Sequence, residues 1–135
     1  MPVVRAVGVI RYPSQGPCTE TELLDPTWAD VERCIREMDR FRQPAVFLQH
    51  QPGNRESDCM IITGGADAFH VEADTNGDWV QAVNAERGTE EVEVWTSDQG
   101  FSTQARFTWP FESVLRLARA YFEEGILDPG IPWRS

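Results

Sequence analysis

The sequence predicts an α+β fold: a mostly antiparallel sheet of about six to seven strands with two helices packed on one face. Three observations predict it. Segments that alternate apolar and polar residues follow one another through the middle of the chain, joined by short turns, which implies antiparallel neighbours. Two further segments, one early and one late, repeat apolar residues at spacings of three and four. Each of these carries a single apolar stripe, so the pair can cover one face of a sheet. The 135 residues are enough for one domain with its own core, and the chain reads as a single α+β domain over residues 1–135.

In order, residues 3–12 are rich in β-branched side chains and form a strand. Residues 13–22 collect Pro, Ser, Gly and Thr and read as a loop. Asp25-Pro26-Thr27-Trp28 starts a helix, with a capping carboxylate and a proline in the first turn. That helix runs to about Arg40 with Trp28, Val31, Ile35 and Met38 as its stripe and Cys34 beside it, and Gln43-Pro44 ends it. Strands follow over residues 45–50, 59–63 and 68–74. The continuous apolar run at 59–63 marks a central strand, broken by Gly64-Gly65. Asn76-Gly77 is a two-residue hairpin turn, because both positions tolerate positive φ. Strands over 79–84, 91–96 and 103–109 complete the run, with a turn at Asp98-Gln99-Gly100.

The late helix has the clearest pattern. Phe111, Val114, Leu115, Ala118, Tyr121 and Phe122 form its stripe, Pro110 opens it and Gly125 closes it. Glu112 with Arg116, and Arg119 with Glu123, are i,i+4 pairs on the solvent side. Trp109 and Trp133 are placed to pin its two ends.

Charge bounds the function. Twelve Lys and Arg against 22 Asp and Glu leave a net charge of −10. Phosphate recognition needs clustered Lys and Arg, so nucleic acid and anionic membrane surfaces are poor partners. A basic protein is a good one, since long-range attraction speeds the encounter. Solubility alone also accounts for an acidic chain. The three cysteines, Cys18, Cys34 and Cys59, are odd in number and form no CxxC, which argues for a reducing compartment. With no signal-peptide pattern and no apolar run of membrane-spanning length, the expected location is the cytoplasm.

Few residues suggest chemistry. His50, His70 and the cysteines are far apart in sequence, without ligand spacing, so no metal site is expected. No nucleophile elbow is present, and Gly64-Gly65 lacks the helix start and Lys-Ser/Thr of a phosphate loop. No catalytic residue and no cofactor are therefore assigned. The more specific signal is the polar side of the strands. The alternation that turns Phe69, Val71, Val92, Val94, Ala105 and Phe107 inward turns His70, Glu72, Asp74, Glu91, Glu93, Trp95, Gln104 and Arg106 outward. That face is acidic with an aromatic residue set in it, a composition suited to a binding hot spot. It is equally the composition of a solvated face, with Trp95 covering cross-strand neighbours and Arg106 neutralising Glu91 or Glu93. The partner-binding candidates are His70, Glu72, Asp74, Trp79, Glu91, Glu93, Trp95 and Arg106.

Phe107-Thr108-Trp109-Pro110, the helix through Arg119-Ala120-Tyr121-Phe122, Glu124-Gly125 and Ile131-Pro132-Trp133 follow one another in the C-terminal stretch. In that order they resemble the bacterial immunity proteins of the Imm1 type, which neutralise toxins of polymorphic toxin systems. The resemblance covers residues 107–133 most closely and 25–133 loosely, and it does not extend to the first strand or the 13–22 loop. It implies a non-enzymatic protein that acts by occluding a cognate toxin. The toxin-binding residues of that family vary, so none is carried over. Two other classes stay open: a small-molecule site or enzyme around His50, His70 and Cys59, and a subunit of an assembly that uses residues 3–12 as an exposed edge strand.

Overall fold

A computed structural model describes residues 3–39, 41–65, 68–95 and 100–135. The strands are β1 (Ala6–Arg11), β2 (Thr19–Leu24), β3 (Ala45–Gln49), β4 (Cys59–Gly65), β5 (Ala68–Thr75), β6 (Asp78–Ala82), β7 (Glu91–Trp95), β8 (Gly100–Gln104) and β9 (Trp133–Arg134). The helices are α1 (Trp28–Arg36) and α2 (Phe111–Glu124). Seven strands form one antiparallel sheet in the order β2-β1-β3-β4-β5-β6-β9, and β7 pairs with β8 in a separate hairpin. The expected α+β architecture is therefore the observed one.

Period-two patterning decides what meets the helices. Val7 and Val9 on β1, Val46 and Leu48 on β3, Met60 and Ile62 on β4, and Phe69, Val71 and Ala73 on β5 share one face through their cross-strand register. All are buried in one cluster with Val31 and Ile35 of α1 and Val114, Leu117, Ala118, Tyr121 and Phe122 of α2. The α2 stripe thus runs through Leu117, while Phe111 and Leu115 lie at its half-buried margins. Trp28 of α1 meets Phe122 of α2 at 5.9 Å between ring centroids, so the two helices lie side by side. Burial of each large side chain in this layer is worth about 1.5–3 kcal/mol gross.

The first helix stops at Arg36, with Glu37 as its C-cap, short of the expected end near Arg40, and the residue that caps its start also differs. Thr27, not Asp25, caps α1: its Oγ1 accepts from the Asp30 N–H, and the Asp30 carboxylate accepts from the Thr27 N–H, a capping box. Asp25 pairs with Arg5 instead, at 2.9 Å. Gly125 ends α2 at φ 69°, and the Arg119–Glu123 pair forms at 2.9 Å, whereas Arg116 pairs with Asp128. Trp109 Nε1 donates to the Ala82 carbonyl and Trp133 Nε1 to that of Asp128, tying both approaches to α2. Gly64 sits within β4 at φ 107°, where an added Cβ would lie 2.2 Å from the Ala68 carbonyl oxygen, so this position requires glycine.

Three expectations are corrected. The stretch read as a loop over 13–22 holds most of β2, which pairs with β1 over six residues. Its Thr-Glu-Thr-Glu alternation outweighs the turn residues before it. As a result residues 3–12 do not supply an edge: β1 is flanked by β2 and β3, and β2 is the edge. The strand expected over 103–109 stops at Gln104. There the Ala105 N–H donates to Glu90 and the Arg106 N–H to Gly88, and the Thr108 N–H returns to Ala105. These bonds draw the chain into a 3₁₀ turn at Ala105–Phe107. Arg40 and the Asp98-Gln99 turn lie outside the described residues.

Leu117→Ala should lower the unfolding free energy by about 2–5 kcal/mol, the range for truncating a fully buried leucine. Leu23→Ala, at a 40% exposed side chain, should change it by no more than about 0.5 kcal/mol. Urea midpoints of the two variants measure the contrast.

Candidate functional site

His70, Glu72 and Asp74 do project from the same side of β5, opposite the helices, but that side is not open. The β7–β8 hairpin lies against it, with the Phe101 ring edge-on to His70 at 5.5 Å between centroids. His70 is 6% exposed, and its Nε2 lies 2.8 Å from Gln81 Oε1. Asp74 is 3% exposed, and its Oδ2 accepts from the Asp58 N–H at 2.8 Å, holding the chain where it enters β4. Both are corrections to the exposed acidic face. Strict alternation on β5 reflects a sheet covered on both sides, one by helices and the other by a hairpin and a loop.

The remaining candidates do not converge. Glu72 and Trp79 are half-buried and border a depression of about 220 Å³ with Gln81 and Arg134. Glu91 and Glu93 are exposed on β7, and the side chain of Trp95 lies outside the described residues. Arg106 is on the 3₁₀ turn, where its Nε donates to Gln104 and its guanidinium stacks 4.9 Å from the Phe107 ring centre. It forms no ion pair with Glu91 or Glu93 among the described residues.

The accessible acidic feature lies at the far end of the sheet, on β2. All six of its residues are exposed. On the face away from the helices, Glu22 stands opposite Gly8 in the register. A Cβ on Gly8 would fall 2.6 Å from Gln49 Oε1 and 2.9 Å from the Arg55 guanidinium, so the missing side chain makes room for both groups. Glu22 Oε2 accepts from Gln49 Nε2 at 3.0 Å and from the Gly53 N–H at 2.8 Å. Arg55 pairs with Glu20 at 3.0 Å and stacks on Phe47 at 4.3 Å. These contacts fold residues 51–58 over the sheet and leave a cleft of about 850 Å³ between that loop and β2. Glu20, Glu22 and Glu56 line it against the one guanidinium of Arg55.

The other face of β2 differs in character. A groove of about 390 Å³ runs between β2 and α1, with Val7, Val9, Leu23 and Cys34 among its walls and Arg11, Arg33 and Glu37 among its charged groups. A hollow of about 380 Å³ adjoins it through Arg11 and Glu37 and reaches Tyr12, Pro13 and Arg42. Sequence reading missed β2 altogether. The signal was present in Thr19, Thr21 and Leu23 alternating with Glu20, Glu22 and Leu24, next to prolines and glycines that read as a loop.

The arrangement offers little for covalent or metal chemistry. Among the described residues no group of three His, Cys, Asp or Glu is placed to hold a metal ion. Cys59 is fully buried, and His50 faces Tyr121 of α2 at 5.4 Å, away from His70. The two histidines therefore lie on opposite faces of the sheet and do not meet. Burial raises the Cys59 thiol to about 11, helped by the charges of Asp74, Glu72 and Asp58. Burial likewise raises Cys34 and Tyr121. None of the three is poised to ionise near neutrality, which a nucleophile requires. Compared with protein-family models, curated proteins and solved structures, the chain matches none.

Two outcomes follow from these groups. A thiol reagent at neutral pH should modify Cys18 quickly and Cys34 and Cys59 only on unfolding, because Cys18 alone is exposed; fast release from all three in native protein would contradict it. Stability should also fall on the alkaline side. The unfolded chain loses its Cys59 proton around the ordinary 9.0, while the folded chain keeps it to about 11. Stability from this group is whole below the lower value and drains as pH rises between the two. Urea midpoints taken across that window should decline.

Proposed function

We propose that this protein is a non-enzymatic binding protein that neutralises a basic protein partner by occlusion, in the manner of the Imm1-type immunity proteins its C-terminal stretch resembles. The cognate partner is then a bacterial toxin met in the cytoplasm. The observation that carries the reading is the placement of accessible negative charge. On a chain of net charge −10, Glu20, Glu22 and Glu56 line one open cleft with a single arginine among them. Such a field attracts a basic protein from a distance and repels acidic competitors, which favours fast association with the right partner. Toxins that act on nucleic acid carry basic surfaces, and a protein seated on such a surface blocks the substrate path without any chemistry of its own.

The test is direct binding to the product of the adjacent gene. Association should be fast at low salt and slow by at least about tenfold when the ionic strength is raised well past the point where the Debye length is ~8 Å. Added protein should abolish the partner's activity at equimolar ratio. A neighbouring gene product that neither binds at low salt nor loses activity would overturn the reading.

A further inference from the structure

We propose that β2 is a docking edge that takes an extended segment of the partner as an eighth strand, and that this segment alternates basic and apolar side chains. The inference rests on the reading that the partner is a basic protein, and it adds where and in what form that partner binds.

The first ground is the ladder. The Asp25 N–H donates to the Arg5 carbonyl at 2.8 Å, one residue beyond the Ala6↔Leu24 pair. In an antiparallel ladder bonded pairs alternate with unbonded ones. Thr19, Thr21 and Leu23 therefore spend their backbone groups on β1, and Glu20, Glu22 and Leu24 turn theirs to the open side. β2 has no second neighbour in the sheet. Edge strands are commonly blunted by proline, a bulge, charged side chains (lysine above all) or brevity, and the charges on β2, Glu20 and Glu22, repel an acidic strand while suiting a basic one. β2 pairs with β1 in unbroken register over six residues and contains neither proline nor lysine, so its edge is left usable.

The second ground is the difference between its two sides, which states what the added strand must carry. Side chains of that strand on the cleft side meet Glu20, Glu22 and Glu56 and must be basic. Those on the helix side meet Thr21 and Leu23 at the mouth of a groove that also carries Arg11, Arg33 and Glu37; the two arginines oppose a basic side chain there, and Leu23 favours an apolar one. Main-chain bonds would supply affinity and the alternate pockets specificity, as in other cases of strand addition. The same charges argue against a second copy of this chain as occupant. Two β2 strands paired edge to edge would bring four carboxylates onto neighbouring positions between bodies of net charge −10 each.

The probe is a capped octapeptide of alternating lysine and valine, with its glutamate–valine counterpart as control. Amide-resolved NMR of the full chain should show the lysine peptide shifting the amides of Glu20, Glu22 and Leu24 and slowing their hydrogen exchange, with affinity falling as salt rises. The control should leave these amides unmoved. Leu23→Asp and Glu56→Lys should each weaken binding about tenfold, the effect of losing one anchor, while melting stays near that of the parent because both side chains are exposed. Three results would overturn the proposal: no shift on β2 up to about 1 mM peptide, where binding energy is only ~4 kcal/mol; equal binding of a lysine peptide N-methylated at alternate residues; or concentration-dependent protection of the outward amides without peptide, which would make the occupant a second copy. The two readings fail separately. A basic gene neighbour that binds both variants as tightly as the parent overturns the docking edge and leaves the function standing. Peptide addition on β2 with no basic protein partner does the reverse.

Discussion

Burial of the α2 stripe against the central strands is the interaction on which the rest of the structure depends. Val114, Leu117, Ala118, Tyr121 and Phe122 close over Val46, Leu48, Met60, Ile62 and Val71, and all ten are buried in one cluster. A slip of one residue in any of these strands would turn its apolar set away from the helix, so the stripe sets the register of the sheet. It also sets the path of the chain. Once α2 and α1 occupy one face, the hairpin and the 51–58 loop settle on the other, and the tail after Gly125 is drawn back to pair β9 with β6. With one face under the helices and much of the second under the hairpin and loop, the long edge at β2 is left as the most accessible part of the sheet.

The helices and most of the central strands were legible because their signals are local. A spacing of three and four names a helix, Asn76-Gly77 names a hairpin, and both residues adopt positive φ in the structure. What could not be read was which polar side chains face water. His70 and Asp74 alternate with Phe69, Val71 and Ala73 as surface residues do. Alternation reports only that neighbours point opposite ways, and whether the second side is wet depends on chain distant in sequence. Phe101 and Asp58 cover those two residues, from 31 and 16 positions away.

The β2 strand was hidden for a different reason. Its alternation is formed by threonine and glutamate, not by valine and isoleucine, and a run of proline, serine and glycine precedes it. Such composition is what an exposed edge requires. A strand bonded on one side and wet on both faces has little apolar surface to show, so the absence of a hydrophobic pattern there follows from its place in the sheet. Arg55 is a related case. Its role depends on the absent side chain of Gly8, on Phe47 beneath it and on Glu20 beside it, a combination of four separate segments.

The most direct measurement of the central claim, that β2 is a long open edge of the sheet, is amide hydrogen exchange of the free protein, residue by residue. Amides bonded in the ladder open only with local unfolding, while outward amides exchange with solvent freely. Thr21 and Leu23 should be protected and Glu20, Glu22 and Leu24 should exchange fast, with Val71 and Ala73 on β5 as slow as the core. Uniform protection along β2 would contradict the account, because it would mean that a further strand or another molecule already covers the edge.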